Sequence, residues 1–69
     1  MLIRTAQDLG ELVRTARQAQ GMTQTQLAGA AGTGLRFIVD LEKGKPTCEL
    51  HKALRVATML GIQIEANMP

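Results

Sequence analysis

Two short helical segments separated by a glycine-rich turn occupy the middle of the chain, and they constrain its fold more than any other feature. In the first, Thr23 is followed three residues later by Gln26, a pair that can satisfy two backbone N–H groups at a helix start. The turn Gly32-Thr33-Gly34 permits the positive φ angles that a sharp change of direction requires. A second apolar-periodic segment then ends at Gly44. The pattern predicts two short helices that meet at a steep angle.

The size and composition of the chain limit it to one small helical domain. With 69 residues it can bury only about 60% of its unfolded surface, so we expect dimerisation to add stability. A hydrophobic fraction of 45% against 20% charged residues is too apolar for a disordered tail. Abundant helix formers and a single aromatic residue favour an all-α fold. Residues 1–69 are therefore expected to form a single domain.

Capping residues, apolar periodicity and terminating glycines together predict four helices. Thr5 begins a capping box for the first helix, and either Thr33 or Gly34 caps the third. Thr47 is expected to cap the fourth helix. The predicted helices cover about residues 6–20, 24–31, 35–43 and the segment from Thr47 to Gly61. The expected fold is thus an all-α, four- to five-helix domain with its core in residues 6–61.

The carboxyl-terminal segment has the alternating pattern of a β-strand. Its residues Ile62, Gln63, Ile64 and Glu65 alternate apolar and polar side chains. Because a lone strand cannot satisfy its backbone, its partner is either Leu2-Ile3-Arg4 or the same segment of a second subunit. Pairing across a two-fold axis would make residues 62–65 a dimer interface, and the alternative is a tail after Gly61.

Charge and cysteine content suggest a basic protein of a reducing compartment. The net charge is +2 and the isoelectric point about 9.2. Five basic and three acidic residues lie between positions 36 and 55, where they form either a basic rim beside the third helix or an ordinary solvated surface. A single cysteine excludes an internal disulfide. No signal peptide or membrane span is evident, so we expect a cytoplasmic protein without membrane contact.

The residue inventory argues against an enzyme. His51 is the only histidine, tyrosine and tryptophan are absent, and no glycine-rich phosphate loop follows a strand. Cys48 and His51 would supply two zinc ligands on one helical turn, but a structural zinc site needs four. We therefore expect no catalytic activity, no metal and no cofactor.

The central segment resembles the Xre/Cro family of helix-turn-helix proteins, over residues 9–62. The motifs that carry the resemblance are Met22-Thr23-Gln24-x-x-Leu27-Ala28, Gly32, and Ile38-x-x-Leu41-Glu42-x-Gly44-Lys45. A narrower likeness, to the short HipB-like antitoxins, rests on Asp8-Leu9-Gly10, Phe37-Ile38, Leu41 to Thr47, Leu54-Arg55-Val56 and Leu60-Gly61. The resemblance implies a lambda-repressor-like fold and binding to double-stranded DNA.

In this family the helix after the turn lies in the major groove. The matching exposed positions here are Gly34, Leu35, Arg36, Val39 and Asp40. Arg36 can donate two hydrogen bonds to guanine, a pairing worth about 1–3 kcal/mol of discrimination, or it contacts a phosphate. Asp40 either accepts from cytosine or orients Arg36 one helical turn away. Leu35 either contacts a thymine methyl or packs at the helix end.

Further residues are implied as backbone contacts or as structural supports. Gln24 matches the family glutamine at the start of the second helix, where N–H groups and the helix dipole favour a phosphate. Thr25 faces the same way and either contacts a phosphate or a base edge or is exposed to solvent. Lys43 and Lys45 are expected to contact phosphates or to be solvated surface lysines. Finally, the resemblance implies a salt bridge between Arg17 and Glu42 that ties the first helix to the third.

These expectations combine into one functional hypothesis with two alternatives. HipB-like family members bind operator DNA as dimers, repress their own operon and pair with a HipA-type kinase toxin. The resemblance thus implies a homodimeric repressor on a palindromic operator with half-sites about 34 Å apart, and a HipA-like kinase as partner. The alternatives are a stand-alone repressor of phage or metabolic type, and a protein-interaction module without sequence-specific DNA binding.

Overall fold

The chain folds into four α-helices joined by short turns. The computed structural model describes residues 2–68. The helices are α1 (Ala6–Ala19), α2 (Gln24–Ala31), α3 (Leu35–Glu42) and α4 (Leu50–Met59). Helix α1 packs on α3, and α2 packs on both α3 and α4. The predicted all-α fold is confirmed, and the bounds of the first three helices differ from the predicted ones by at most one residue.

The helix starts follow the predicted capping chemistry, except in α4. Oγ1 of Thr5 accepts a hydrogen bond from the backbone N–H of Asp8 at 3.0 Å, and the Asp8 carboxylate accepts from the Thr5 N–H at 3.2 Å. A second capping box starts α2. The prediction that Thr47 caps α4 is wrong, because Pro46 and Thr47 lie in a turn and Glu49 is the N-cap. Pro46 has a fixed φ that suits a turn at this position.

The largest fully buried side chains of the hydrophobic core come one from each helix. These residues are Val13, Leu27, Ile38 and Val56. The close approach of α1 to α3 depends on Gly10, since a Cβ atom there would collide with the backbone carbonyl oxygen of Leu41. The α1–α3 packing therefore sets the position of the third helix.

The two ends of the described chain lie together without forming a sheet. Leu2 and Ile3 line one groove together with residues 62–65, but residues 2–68 contain no strand. Ile62 packs partly against the core, whereas Ile64 is exposed. The strand predicted at residues 62–65 is thus not formed within the single chain, and its pairing across a dimer axis stays a prediction. None of the four helices is both long and apolar enough to cross a membrane.

Candidate nucleic-acid interface

Helices α2 and α3 and the turn between them form a surface with α3 on the outside. Gly32 ends α2 in the left-handed region, with φ of 69°, and Gly34 is the N-cap of α3. Because residues 32–34 supply this sharp bend, one face of α3 packs inward through Ile38 and Leu41. The opposite face of α3 is at the surface, where Leu35 and Arg36 are exposed.

The exposed face of α3 carries one projecting cation that is tethered by a carboxylate. The side chain of Arg36 is 85% exposed, and its Nε lies 3.3 Å from Oδ1 of Asp40. Asp40 is only 17% exposed, and its Oδ2 lies 3.5 Å from Nζ of Lys45. The guanidinium has five N–H donors, so contact through Nε leaves both terminal nitrogens available. Of the two alternatives for Asp40, contact with a cytosine or orientation of Arg36, the structure contains the ion pair with Arg36 that the second one requires.

The neighbouring positions of this face are mixed in exposure. Leu35 is 46% exposed and lies outside the core cluster, so the alternative that it is a core contact is wrong. Gly34 and Thr25 are exposed, and Val39 is half-buried. Leu35 therefore presents an apolar contact at the start of α3, beside the tethered Arg36.

A largely buried network joins α1, α2 and α3 behind this face. Arg17 donates through Nε to Oε2 of Glu42 at 2.7 Å and through Nη2 to Oε1 at 3.0 Å. Its Nη1 also donates to the carbonyl oxygen of Met22 at 2.7 Å. The side chains of Arg17 and Glu42 are 11% and 4% exposed, and the hydrogen bond with Glu42 raises the pKa of Arg17. The salt bridge implied by the resemblance is thus present in the structure.

Gln24 also belongs to this network. Its Nε2 donates to Oε1 of Glu42 at 3.2 Å, a contact that the sequence did not suggest. The amide nitrogen carries two hydrogens, so one remains for another acceptor. Glu42 therefore holds the side chain of Gln24, the residue that the resemblance implies as a phosphate contact.

A polar groove runs beside the network and includes a residue that the sequence motifs missed. Its walls are formed by Arg14, Arg17, Gln24, Val39, Glu42 and Lys43. Arg14 lies three residues before Arg17 in α1, and this spacing puts both on neighbouring positions of one helix face. That spacing is the signal by which Arg14 could have been found.

The remaining sequence candidates, Cys48 and His51, do not line the groove beside the Arg17–Glu42 network. Cys48 is half-buried, and its burial raises the pKa of the thiol. His51 has Nε2 2.8 Å from Nη2 of Arg55. Within residues 2–68 no three His, Cys, Asp or Glu side chains come together in a way that would hold a metal ion.

Comparison with known proteins finds a family model and a relative that match the sequence, and solved structures that share the fold. The family model described as "Helix-turn-helix domain" matches residues 8–66. The uncharacterized HTH-type transcriptional regulator y4mF of Sinorhizobium fredii (strain NBRC 101917 / NGR234) is 52% identical over 67 residues, covering 97% of this chain and 88% of that protein. Chains of the HipA-HipB-O2-O3 complex and of the HipB-O4 20mer complex each superpose with a TM-score of 0.87 at 20% identity. In both cases 99% of this chain and 96% of the other are covered.

Proposed function

This chain belongs to the helix-turn-helix domain family, and on that premise we propose that it is a sequence-specific DNA-binding transcriptional repressor. The observation that carries the proposal is the exposed face of α3, on which Arg36 projects into solvent while Asp40 holds its Nε. Asp40 leaves the two terminal nitrogens of the guanidinium free for O6 and N7 of one guanine. The same carboxylate repels phosphates, so it favours base contact over indiscriminate backbone contact.

Other residues of the surface suit the DNA backbone. Gln24 and Thr25 occupy the first turn of α2, where backbone N–H groups lack helical partners and attract anions. Lys43 and Lys45 follow α3 and are both exposed. These four residues are proposed to fix the orientation of the domain on the duplex, with Leu35, Gly34 and Val39 close to the base edges.

We assign the remaining apolar surface to a homodimer. Leu2 is 73% exposed and Ile64 is 51% exposed, and both line the groove formed by the two chain ends. Pairing of residues 62–65 across a two-fold axis would cover these side chains and satisfy the strand backbone. Such a dimer would place two α3 helices on a palindromic operator with half-sites about 34 Å apart.

The DNA-binding proposal is tested by fluorescence anisotropy with the promoter fragment upstream of the gene and a scrambled duplex. Arg36→Ala should reduce the preference for the operator by about 5- to 150-fold, the equivalent of 1–3 kcal/mol. Arg36→Lys is the matched control for charge alone, because it keeps a cation but loses the two-pronged fork. Equal binding of both duplexes by the wild-type protein would instead indicate a protein-interaction module.

The finer proposal is that this repressor is the antitoxin of a HipA/HipB-like pair. Its support is the sequence resemblance together with the shared fold of HipB, which is found in a complex with HipA. Co-expression with a HipA-type kinase encoded beside the gene should yield a stable complex and relieve the growth arrest that the kinase causes. Operator binding without any such complex would favour a stand-alone repressor.

A further inference from the structure

The cations of the surface differ in whether a carboxylate partners them. Arg17 is held by Glu42, whereas Arg36 and Lys45 share Asp40. By contrast, Arg14 and Lys43 form no ion pair within residues 2–68, although both line the groove beside the Arg17–Glu42 network. Two unpartnered cations therefore face one groove.

The only carboxylate on the groove wall does not offset these charges. Glu42 is 4% exposed, and its two oxygens accept hydrogen bonds from Arg17 and Gln24. Its negative charge is therefore balanced by Arg17, and the groove keeps the charge of Arg14 and Lys43. A concave surface with two surplus positive charges concentrates anions.

The groove also offers neutral hydrogen-bond donors. The amide of Gln24 has a second N–H that is not used by Glu42. Gln24 is also the first residue of α2, so its backbone N–H has no partner within the helix. Both donors belong to a residue that lines the same groove as the two cations.

From this arrangement we infer that the groove between α1 and α3 is a binding site for a phosphate group, held by Arg14 and Lys43 with Gln24 as an additional donor. Arg14 thereby brings α1 into the ligand surface, which the sequence motifs confined to α2, α3 and the residues after α3. The source we favour is a phosphodiester of the DNA backbone, and in this form the inference rests on the proposed function. A free phosphate compound has the same chemistry and is separated from it by the test below.

The first arm measures the salt dependence of binding to the operator fragment and to the scrambled duplex. Each of Arg14→Gln and Lys43→Gln should lower the slope of log affinity against log salt by about 0.9, since each removes one phosphate contact. The operator preference should stay at the wild-type value, because phosphate contacts carry no sequence information. Arg4→Gln is the matched control, because Arg4 precedes α1 and does not line the groove.

The second arm titrates the DNA-free protein with inorganic phosphate at constant ionic strength and follows its amide resonances by NMR. A saturable shift at Gln24 and Lys43 that disappears in the Arg14→Gln/Lys43→Gln double variant would assign the site to a free phosphate compound. This outcome supports the groove even if the wild-type protein binds no DNA. Loss of salt slope without such a shift assigns the site to the DNA backbone.

Two results would overturn the inference, and they differ in what they say about DNA binding. An unchanged salt slope in the Arg14 variant, with normal operator binding and no phosphate shift, would contradict the phosphate site in the groove and leave the proposed function intact. If the wild-type protein shows neither DNA binding nor a phosphate shift, both the phosphate site and the proposed function are contradicted. Arg14 and Lys43 are exposed, and thermal unfolding of each variant verifies that the fold is unchanged.

Discussion

Replacing Gly10 by alanine is expected to destabilise the protein, although alanine is ordinarily the better residue inside a helix. Gly10 lies in α1 where this helix crosses α3. A Cβ at this position would collide with the carbonyl oxygen of Leu41 and lie 2.9 Å from that of Glu42. Both atoms belong to the backbone, so neither can rotate away as a flexible side chain would.

The size of the effect follows from two opposing contributions. Helix propensity favours alanine by about 1 kcal/mol, whereas forcing an extra methyl group into a packed interior costs about 1–3 kcal/mol, occasionally more. Because relief of the collision requires α1 and α3 to move apart, we expect a cost near the upper end. The net loss is about 2 kcal/mol, which lowers the Tm of a domain this small by roughly 8–16 °C.

Gly29 provides a matched control within the same protein. It also lies inside a helix, α2, but apart from the adjacent residues and the backbone of α2 itself, a Cβ there would have no atom within 4 Å. Gly29→Ala should therefore stabilise the protein by about 0.5–1 kcal/mol. Thermal unfolding followed by circular dichroism at one protomer concentration compares the two variants, because the stability of a dimer depends on concentration. A Gly10→Ala protein as stable as the wild type would refute the proposed helix contact.

Further predictions concern ion pairs, DNA contacts and the cysteine. Arg17→Met should lose about 3 kcal/mol in urea unfolding because Glu42 stays buried without its partner, and the double variant with Glu42→Met should lose less than the sum of the single changes. Arg36→Met, which breaks an exposed pair, should stay within about 0.5 kcal/mol of the wild type, and a larger loss would contradict that assignment. Lys45→Ala should weaken operator and scrambled DNA alike and reduce the salt slope by about 0.9; a selective loss of operator binding would argue for base contact. Since burial raises the pKa of Cys48, iodoacetamide should modify it more slowly at pH 8 in the folded protein than in urea; equal rates would show that the thiol is not shielded.

Capping residues and glycines, which act on the backbone of a few neighbouring residues, predicted the helix ends well. The capping residues Thr5 and Thr23 form the hydrogen bonds expected from their spacing, and Gly32 ends α2 with a positive φ. The Thr47 prediction failed because residues 46 and 47 form a turn, so that α4 begins only at Leu50 and Glu49 occupies the N-cap position without a side-chain hydrogen bond. The strand at residues 62–65 is a non-local prediction, since it needs a partner that the single chain does not supply.

The candidate surface was predictable only in part. Family motifs indicated Arg36, Asp40 and the Arg17–Glu42 pair, and the structure supplies the contacts that join each pair. Arg14 belongs to no motif and enters the surface only because α1 packs on α3. The spacing of Arg14 and Arg17 could have placed both on one face of α1, but no local pattern could show that Arg14 and Lys43, which are distant in sequence, line the same groove.

The sequence by itself determined the starts of the first three helices, the glycines that follow the helix ends and the sharp turn before α3. These follow from backbone hydrogen bonding, glycine conformation and periodicity, which act over a few residues. Only the tertiary structure decided which cationic side chains have a carboxylate partner, because ion pairing depends on distances between side chains of different helices. The α1–α3 contact at Gly10 brings Arg17 to Glu42, and among residues 2–68 it leaves Arg14 and Lys43 beside them without an ion pair.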